Sequence, residues 1–266
     1  MLASVAPHGL LECGVVGLSV RRLRPSDAPA TARLHLEVLG SEFLARCGLQ
    51  FLRCYHRAWI ESADAIALAA VDERGQIVGV ILGALRPETH FRTMVRRRGA
   101  VLGILMIRQA LAHPRFAREL ATTRVPRYAR GLLRMIGGRS AVKVQGTPGP
   151  VSGPGTPRGG GESDPGGPPS VPARTLRIGD VTHVMVHPDV QGQGVGRALL
   201  EETRRVSTDA GLDELVLVTL PELPAGAFYR RVGWLPDGSM TSGSGVRFER
   251  YRLPLRPPKF IHSSGA

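Results

Sequence analysis

Residues Val184 to Leu200, VMVHPDVQGQGVGRALL, leave this chain little freedom in what it can fold into. Thr182, Val184 and Val186 alternate as a strand does. Pro188 cannot donate a ladder hydrogen bond and ends that strand. A glycine then stands at every second position: Gly192, Gly194, Gly196. From about Val195 the period becomes helical, with Ala198, Leu199 and Thr203 on one face and Glu201, Glu202, Arg204 and Arg205 left for solvent. The expectation is strand, tight loop, helix. Such a loop presents free backbone N–H groups at the positive end of a helix dipole, which suits phosphate or pyrophosphate.

Spacing narrows the ligand. Neither lysine nor a hydroxyl residue follows Gly196, so a P-loop is excluded. A dinucleotide fingerprint, Gly-x-Gly-x-x-Gly, needs a glycine where Arg197 stands. The pattern present is Val-x-Pro-x-x-Gln/Arg-Gly-x-Gly-x-Gly/Ala, spelled by Val186, Pro188, Gln191, Gly192, Gly194 and Gly196. It resembles the acetyl-CoA-binding motif of the GNAT N-acetyltransferase superfamily. Further on, Ala225, Phe228, Tyr229 and Gly233, followed by Trp234, are similar to a second GNAT signature, Asn-x-x-Ala-x-x-Phe-Tyr-x-x-x-Gly-Phe. Glu222 stands at the asparagine position and departs from it, which touches the contact that relatives make to the pantetheine arm. The resemblance covers roughly residues 18–85 and 174–255, with specific residues only in the second block.

That resemblance implies an α/β fold: a GNAT-type mixed, mostly antiparallel sheet flanked by helices. It implies acetyl-CoA as co-substrate and no metal. The implied activity is N-acetyl transfer to a primary amine of a small molecule, by direct attack in a ternary complex. Gln191, Gly192, Gln193, Gly194, Val195, Gly196 and Arg197 would take the pyrophosphate through backbone N–H groups. Val184, Met185 and Val186 would pair with the pantetheine as an added strand and offer an N–H to the thioester carbonyl, which is oxyanion stabilisation in physical terms. Phe228 belongs to the same cofactor site. Tyr229 corresponds to the family tyrosine that protonates the departing thiolate, and a phenol with a pKa of about 10 is a workable donor. For the general base Asp180 is preferred, then His183, then Glu37. By strand alternation Asp180 shares a face with Thr182 and Val184, and His183 faces away unless a bulge intervenes. A structural role for Asp180 at the start of the strand stays open, as does relayed water. The alternative class is a CoA-binding regulatory or membrane-surface module without catalysis, for which Glu222 and the basic segment described next give footing.

Charge is concentrated. The whole chain carries +13, yet residues 86 to 143 hold fourteen Arg/Lys against two Asp/Glu, a net of +12. Lys143 and Lys259 are the only lysines, so arginine is the default cation. A block this basic reads as a solvated face or as a surface for an anionic partner. Phe91 to Ile136 reads as helix interrupted at Pro114 and Pro126, with Val101, Leu105, Leu111, Phe116, Leu120, Leu132 and Met135 among the arginines. Two readings stand: a lid packed on the catalytic domain, preferred because the prolines cut the segment into short helices, and a peripheral contact with an anionic membrane through residues 90–140. Nucleic acid is not expected, since few aromatic residues accompany the arginines.

Four segments follow: residues 15–86, the N-terminal half of the domain; 87–144, the basic helical insertion; 145–173, a Gly/Pro-rich linker expected to be disordered; and 174–256, the C-terminal half. In the first, a strand at 18–23 leads to a helix near Ala28 capped by Ser26 or Asp27. Ser41 caps a second helix carrying Leu44, Cys47, Phe51, Leu52, Tyr55 and Trp59. His35 and His56 read as surface or partly buried side chains. Residues 65–71 and 76–84 form a hairpin through Asp72-Glu73-Arg74-Gly75. A strand at 215–220, a short helix at 225–232 and a closing strand at 246–253 complete the second half, with a disordered tail from Pro254. Cys13, Cys47 and Cys54 form no CxxC pair, which fits a reducing cytoplasm.

Overall fold

The computed structural model describes residues 11–12, 17–124, 175–242 and 245–256. The Gly/Pro-rich stretch at 145–173, the second half of the basic segment with Pro126, and the end of the tail lie outside them. Eight strands form one sheet in the order β1-β2-β3-β4-β5-β6-β8-β7. They are β1 (Leu11–Glu12), β2 (Ser19–Arg22), β3 (Ala65–Val71), β4 (Ile77–Ala84), β5 (Ile178–Val186), β6 (Glu214–Thr219), β7 (Leu235–Thr241) and β8 (Arg247–Pro254). Every neighbouring pair is antiparallel except β5 and β6. This is the mixed, mostly antiparallel sheet that the sequence implies.

Two helical layers cover the sheet. On one side lie α1 (Ala28–Val38), α2 (Phe43–Arg46), α3 (Leu49–Ile60), α4 (Pro87–Ala112) and α5 (Pro114–Glu119). They bury Leu34, Phe51, Leu52 and Trp59 against Val80, Leu82, Ala84 and Met185 of the sheet. On the other side α6 (Val195–Asp209) and α7 (Ala225–Arg231) pack Val195, Leu199 and Tyr229 against Ile81, Val181, Leu215 and Tyr251. From Gly79 to Ala84 β4 alternates, Val80, Leu82 and Ala84 to the first core and Ile81 to the second, which is the period-two rule of a sheet buried on both faces. Gly79 lets α6 come close, since a Cβ there would lie 2.8 Å from Val195.

Several local expectations change. Asp27 holds the N-cap position of α1, but its carboxylate caps no N–H of that helix. It accepts from the Arg24 N–H at 2.7 Å and pairs with Arg21. The helix expected after Ser41 is two helices, because Gly48 takes φ +90°, outside the helical range, and opens α3 afresh. His35 and His56 are fully buried rather than at the surface. α4 runs unbroken for 26 residues before His113 turns extended ahead of Pro114. The first part of the basic segment is therefore one long helix, not a set of short ones. β7 escapes the sequence reading: Pro236 and Gly238 interrupt any alternation, as an edge strand tolerates, and its ladder with β8 slips between Pro236 and Ser239.

Candidate functional site

The parallel pair at the centre is short. β5 and β6 are in register only from Ile178↔Glu214 to Val181↔Leu217, although β5 continues to Val186. Beyond Val181 the two strands part. The β6-facing backbone of residues 182–186 then has no ladder partner among the described residues. Unpaired strand edges accept an added strand, so this wedge suits an extended, amide-bearing arm.

The glycine loop lies at the end of the same strand. Its glutamines fold it rather than reach outward. The Gln191 side-chain amide donates to the Val186 carbonyl at 3.0 Å, and that of Gln193 donates to the Asp189 carbonyl at 3.1 Å. Gly192 and Gly194 have φ of +79° and +87°, and Gly194 is the N-cap of α6 in the left-handed region. Ala198 N–H donates to the Gly194 carbonyl at 3.0 Å, while the first-turn N–H groups of Val195, Gly196 and Arg197 have no acceptor within the helix. Arg197 is exposed beside them. The result is an anion cradle at a helix N-terminus. Phe228 reaches it from α7, since a Cβ on Gly196 would lie 3.2 Å from its ring. Thus the two glycine and aromatic signatures meet in space.

Tyr229 lies beneath, in contact with the rings of Phe228, Trp234 and Tyr251 at 5.5, 6.1 and 5.9 Å. Burial among them pushes its phenol up to about 12. Met185 is fully buried on the opposite face, and the ladder phase set by the His187 N–H bond to the Val78 carbonyl turns its own N–H toward β4. Val184 and Val186 pack partly against the α6 side. Glu222 is exposed.

Asp180 and His183 share a face, which corrects the regular alternation. β4 and β5 pair Leu82 with His183 and then Gly83 with Val181, so Thr182 is an extra residue. The bulge inverts the pattern upstream of it. Gly83 makes this pairing feasible, because a Cβ there would overlap the Asp180 carbonyl oxygen. One Asp180 carboxylate oxygen accepts the Ala84 N–H at 2.9 Å and replaces a lost ladder bond. Burial raises the Asp180 pKa to about 6, against the opposing pull of that hydrogen bond and one from Thr182.

The same face holds a polar cluster that the sequence reading missed. His35 Nδ1 is 3.1 Å from His56 Nε2, and the Tyr55 hydroxyl is 3.0 Å from His183 Nε2. The rings of His35 and His183 are 5.1 Å apart. Burial lowers all three imidazoles, His35 to about 4, His183 to about 3 and His56 to about 2, with repulsion from His35 adding to it at His183 and from His35 and His183 at His56. They are neutral at pH 7 and too weak as bases to take a proton from an ammonium. The signal that finds them is spacing: His56 follows Leu52 at i+4 and precedes Trp59 at i+3, and His35 stands likewise from Thr31 and Val38. Glu37 faces elsewhere, its carboxylate 3.1 Å from His187 Nε2. Among the described residues no group of His, Cys, Asp or Glu is arranged to hold a metal ion.

The mixed, mostly antiparallel sheet flanked by helices matches the GNAT folds. Residues 163–235 match the family model described as Acetyltransferase (GNAT) domain. Over that stretch the chain is similar to the GNAT acetyltransferases, a family whose chemistry is acyl transfer. Among solved structures it is similar to histone acetyltransferase HPA2 and related acetyltransferase from Corynebacterium glutamicum, at 17% identity and TM-score 0.50 over 92% of this chain and 100% of that one. It is also similar to a GNAT-family structure from Desulfovibrio desulfuricans, at 15% identity and TM-score 0.49 over 90% and 99% of the two chains. A polyamine N-acetyltransferase from Drosophila melanogaster aligns at 13% identity and TM-score 0.47 over 89% and 99%. No curated protein matches the sequence.

Proposed function

We propose that the protein is an acetyl-CoA-dependent N-acetyltransferase acting on a primary amine of a small molecule by direct attack in a ternary complex. The observation that carries this is the wedge: the β5–β6 ladder stops at Val181↔Leu217, and the Gly194-capped helix begins at the far end of the same open edge. That edge suits the amides of a pantetheine arm and the first-turn N–H groups of Val195, Gly196 and Arg197 suit its pyrophosphate. A bound acyl thioester would supply the activated acetyl group. Val184 and Val186 turn their N–H groups to that edge and are the donors for the carbonyl oxygen as negative charge develops there.

Two side chains divide the proton work. Tyr229, held near 12, keeps its proton throughout the physiological range and donates it toward the departing sulfur. The same dry surroundings raise a thiol's pKa as well, so donor and acceptor are better matched than their values in water imply. Asp180, near 6, is ionised at pH 7 and accepts a proton from the ammonium, directly or through water, with one oxygen already anchored to Ala84. Acceptor identity rests on loops and on α1 to α3, where no recognisable code is present.

The test is release of free thiol from acetyl-CoA with a panel of amines, set beside CoA affinity of a Gly194→Val variant. At φ +87° a valine is strained whatever the space, so the variant is compared by thermal melting in parallel. Turnover in the parent with CoA affinity reduced at least about tenfold in the folded variant supports the proposal. CoA binding without turnover on any amine selects the non-catalytic reading. Unchanged affinity in the variant sinks the assigned loop.

A further inference from the structure

α4 is apolar on two sides. Leu102 is buried against α3, with Met94, Leu105 and Met106 partly buried around it. Ile104, Ile107 and Leu111 stand on the outer side at i, i+3 and i+7, exposed by 59%, 58% and 82%. Three large aliphatic side chains in one stripe are not the scattered exposure normal for a surface. Arginines border the stripe: Arg97 and Arg108 on one flank, Arg96 on the other. Past Arg108 lies a groove of about 500 Å³ between α3 and α4, lined by Arg53, Arg57, Arg98 and Arg108 over Val101 and Leu105. Glu61 pairs with Arg57 and Arg98. Among the described residues no carboxylate pairs with Arg53, Arg97 or Arg108, and the buried Arg53 Nε has no hydrogen-bond partner.

We propose that this face docks on an anionic phospholipid surface. The stripe enters the acyl boundary, the flanking arginines reach lipid phosphates with their stems lying along the apolar zone, and the groove receives a headgroup. Charge selects the occupant. Residues 86–124 carry nine arginines against two glutamates, so a second copy of the same face would set like charge on like charge. A nucleic acid would leave the aliphatic stripe unsatisfied. Among the described residues no helix is long and apolar enough to cross a membrane, which makes the contact a surface one.

The experiment is flotation of the full chain with phosphatidylglycerol-containing vesicles and with pure phosphatidylcholine vesicles, at low and high salt. Expected is salt-sensitive flotation with the anionic vesicles alone. Arg97→Glu with Arg108→Glu lowers the partition coefficient at least tenfold, since each basic side chain near such a surface contributes about a fivefold factor. Ile104→Ser with Ile107→Ser lowers it roughly tenfold per side chain. Both variants change exposed positions, and unaltered thermal melting confirms that they fold. Three results overturn the proposal: no flotation with anionic vesicles; flotation unaffected by either variant; or a concentration-dependent dimer that the isoleucine variant abolishes in the absence of lipid. Loss of flotation on adding soluble glycerol phosphate at millimolar level, with the isoleucine variant binding as the parent does, likewise overturns it in favour of a small-anion site.

Discussion

On the side of the sheet covered by α6 and α7, the core is hydrocarbon and aromatic, from Leu199 and Leu215 to Trp234 and Tyr251. Of the buried hydroxyls on α6, Thr203 donates to the Leu199 carbonyl at 2.8 Å, and Ser207 Oγ has no partner among the described residues. On the side covered by α1 and α3, the same depth holds His35, His56 and His183 with Tyr55. His35 Nε2 and His56 Nδ1 have no partner among the described residues. One layer therefore carries the recognisable chemistry on an ordinary core, and the other carries an unusual core with Asp180 at its edge. Under the proposed roles of Tyr229 and Asp180, the wedge between the two strands is served from both faces: an acid from the dry side, a base from the polar one.

The largest effect expected is on the dry side. Tyr229→Phe keeps the ring contacts and removes the proton, so turnover falls by about 10²–10⁴ while acetyl-CoA binding stays nearly intact. Turnover within twofold of the parent would reduce Tyr229 to packing.

Asp180→Asn sharpens the comparison from the polar side. An asparagine oxygen can still accept the Ala84 N–H, so the bulge persists. The parent's rate should rise with pH through about 6, the raised pKa of Asp180, and the variant should lose that limb along with roughly a hundredfold of its rate. A variant with normal rate and the same limb leaves Asp180 as a structural clamp.

Acid should break the polar core first. Each of the three imidazoles has a folded pKa far below 6.5, so the unfolded chain takes up protons that the folded one refuses. Their stability contribution is present above about 6.5 and declines as pH falls, down to the folded values near 4, 3 and 2. Asp180 works oppositely: raised from 3.8 to about 6, it lets the folded state hold one proton more across that window. From these four groups the uptake on unfolding is about two protons near pH 5, a slope of about 3 kcal/mol per pH unit, to which His90, also lowered by burial, adds and Glu42, raised by burial, subtracts. Urea unfolding at pH 7, 6 and 5 measures it. His56→Leu should remove one of those protons and flatten the slope by about half, and an unchanged slope would mean the cluster is hydrated.

The two faces of α4 give the smallest effects. Leu102→Ala should cost about 2–3 kcal/mol of stability, because it opens a hole against α3. Ile104→Ala should change stability by less than about 0.5 kcal/mol, since the side chain is mostly exposed among the described residues. Equal losses at both positions would mean the outer stripe is covered in solution.

Legibility follows the same division. The strand, loop and helix around Gly194 were readable because backbone requirements there force residue types: positive φ demands glycine and a helix start leaves N–H groups free. Tyr229 and Phe228 came with a spacing that only makes sense beside that loop. The histidines were not readable as core, because an imidazole in a helix has no fixed burial preference and only its i+3 and i+4 neighbours betray it. The face of Asp180 could not be settled either. It depends on Thr182 having no partner on β4, and pairing register is a property of two strands, not of one. α4 was misjudged because Pro114 limits only what lies next to it, and the 26 residues before it meet no breaker.

Thr182 acts as a phase shifter in the central strand. Downstream of it β5 keeps time with the first half of β4, and upstream it runs one step late. Deleting Thr182 would restore a regular ladder with Asp180 and Val181 on the faces they now hold. Straightening the strand with Thr182 still in it would instead swing Asp180 round to the α6 side and Val181 toward the imidazoles. A position-by-position comparison of β5 with an unbulged relative would therefore equate residues that point in opposite directions. The carboxylate of one chain should be sought one place along in the other.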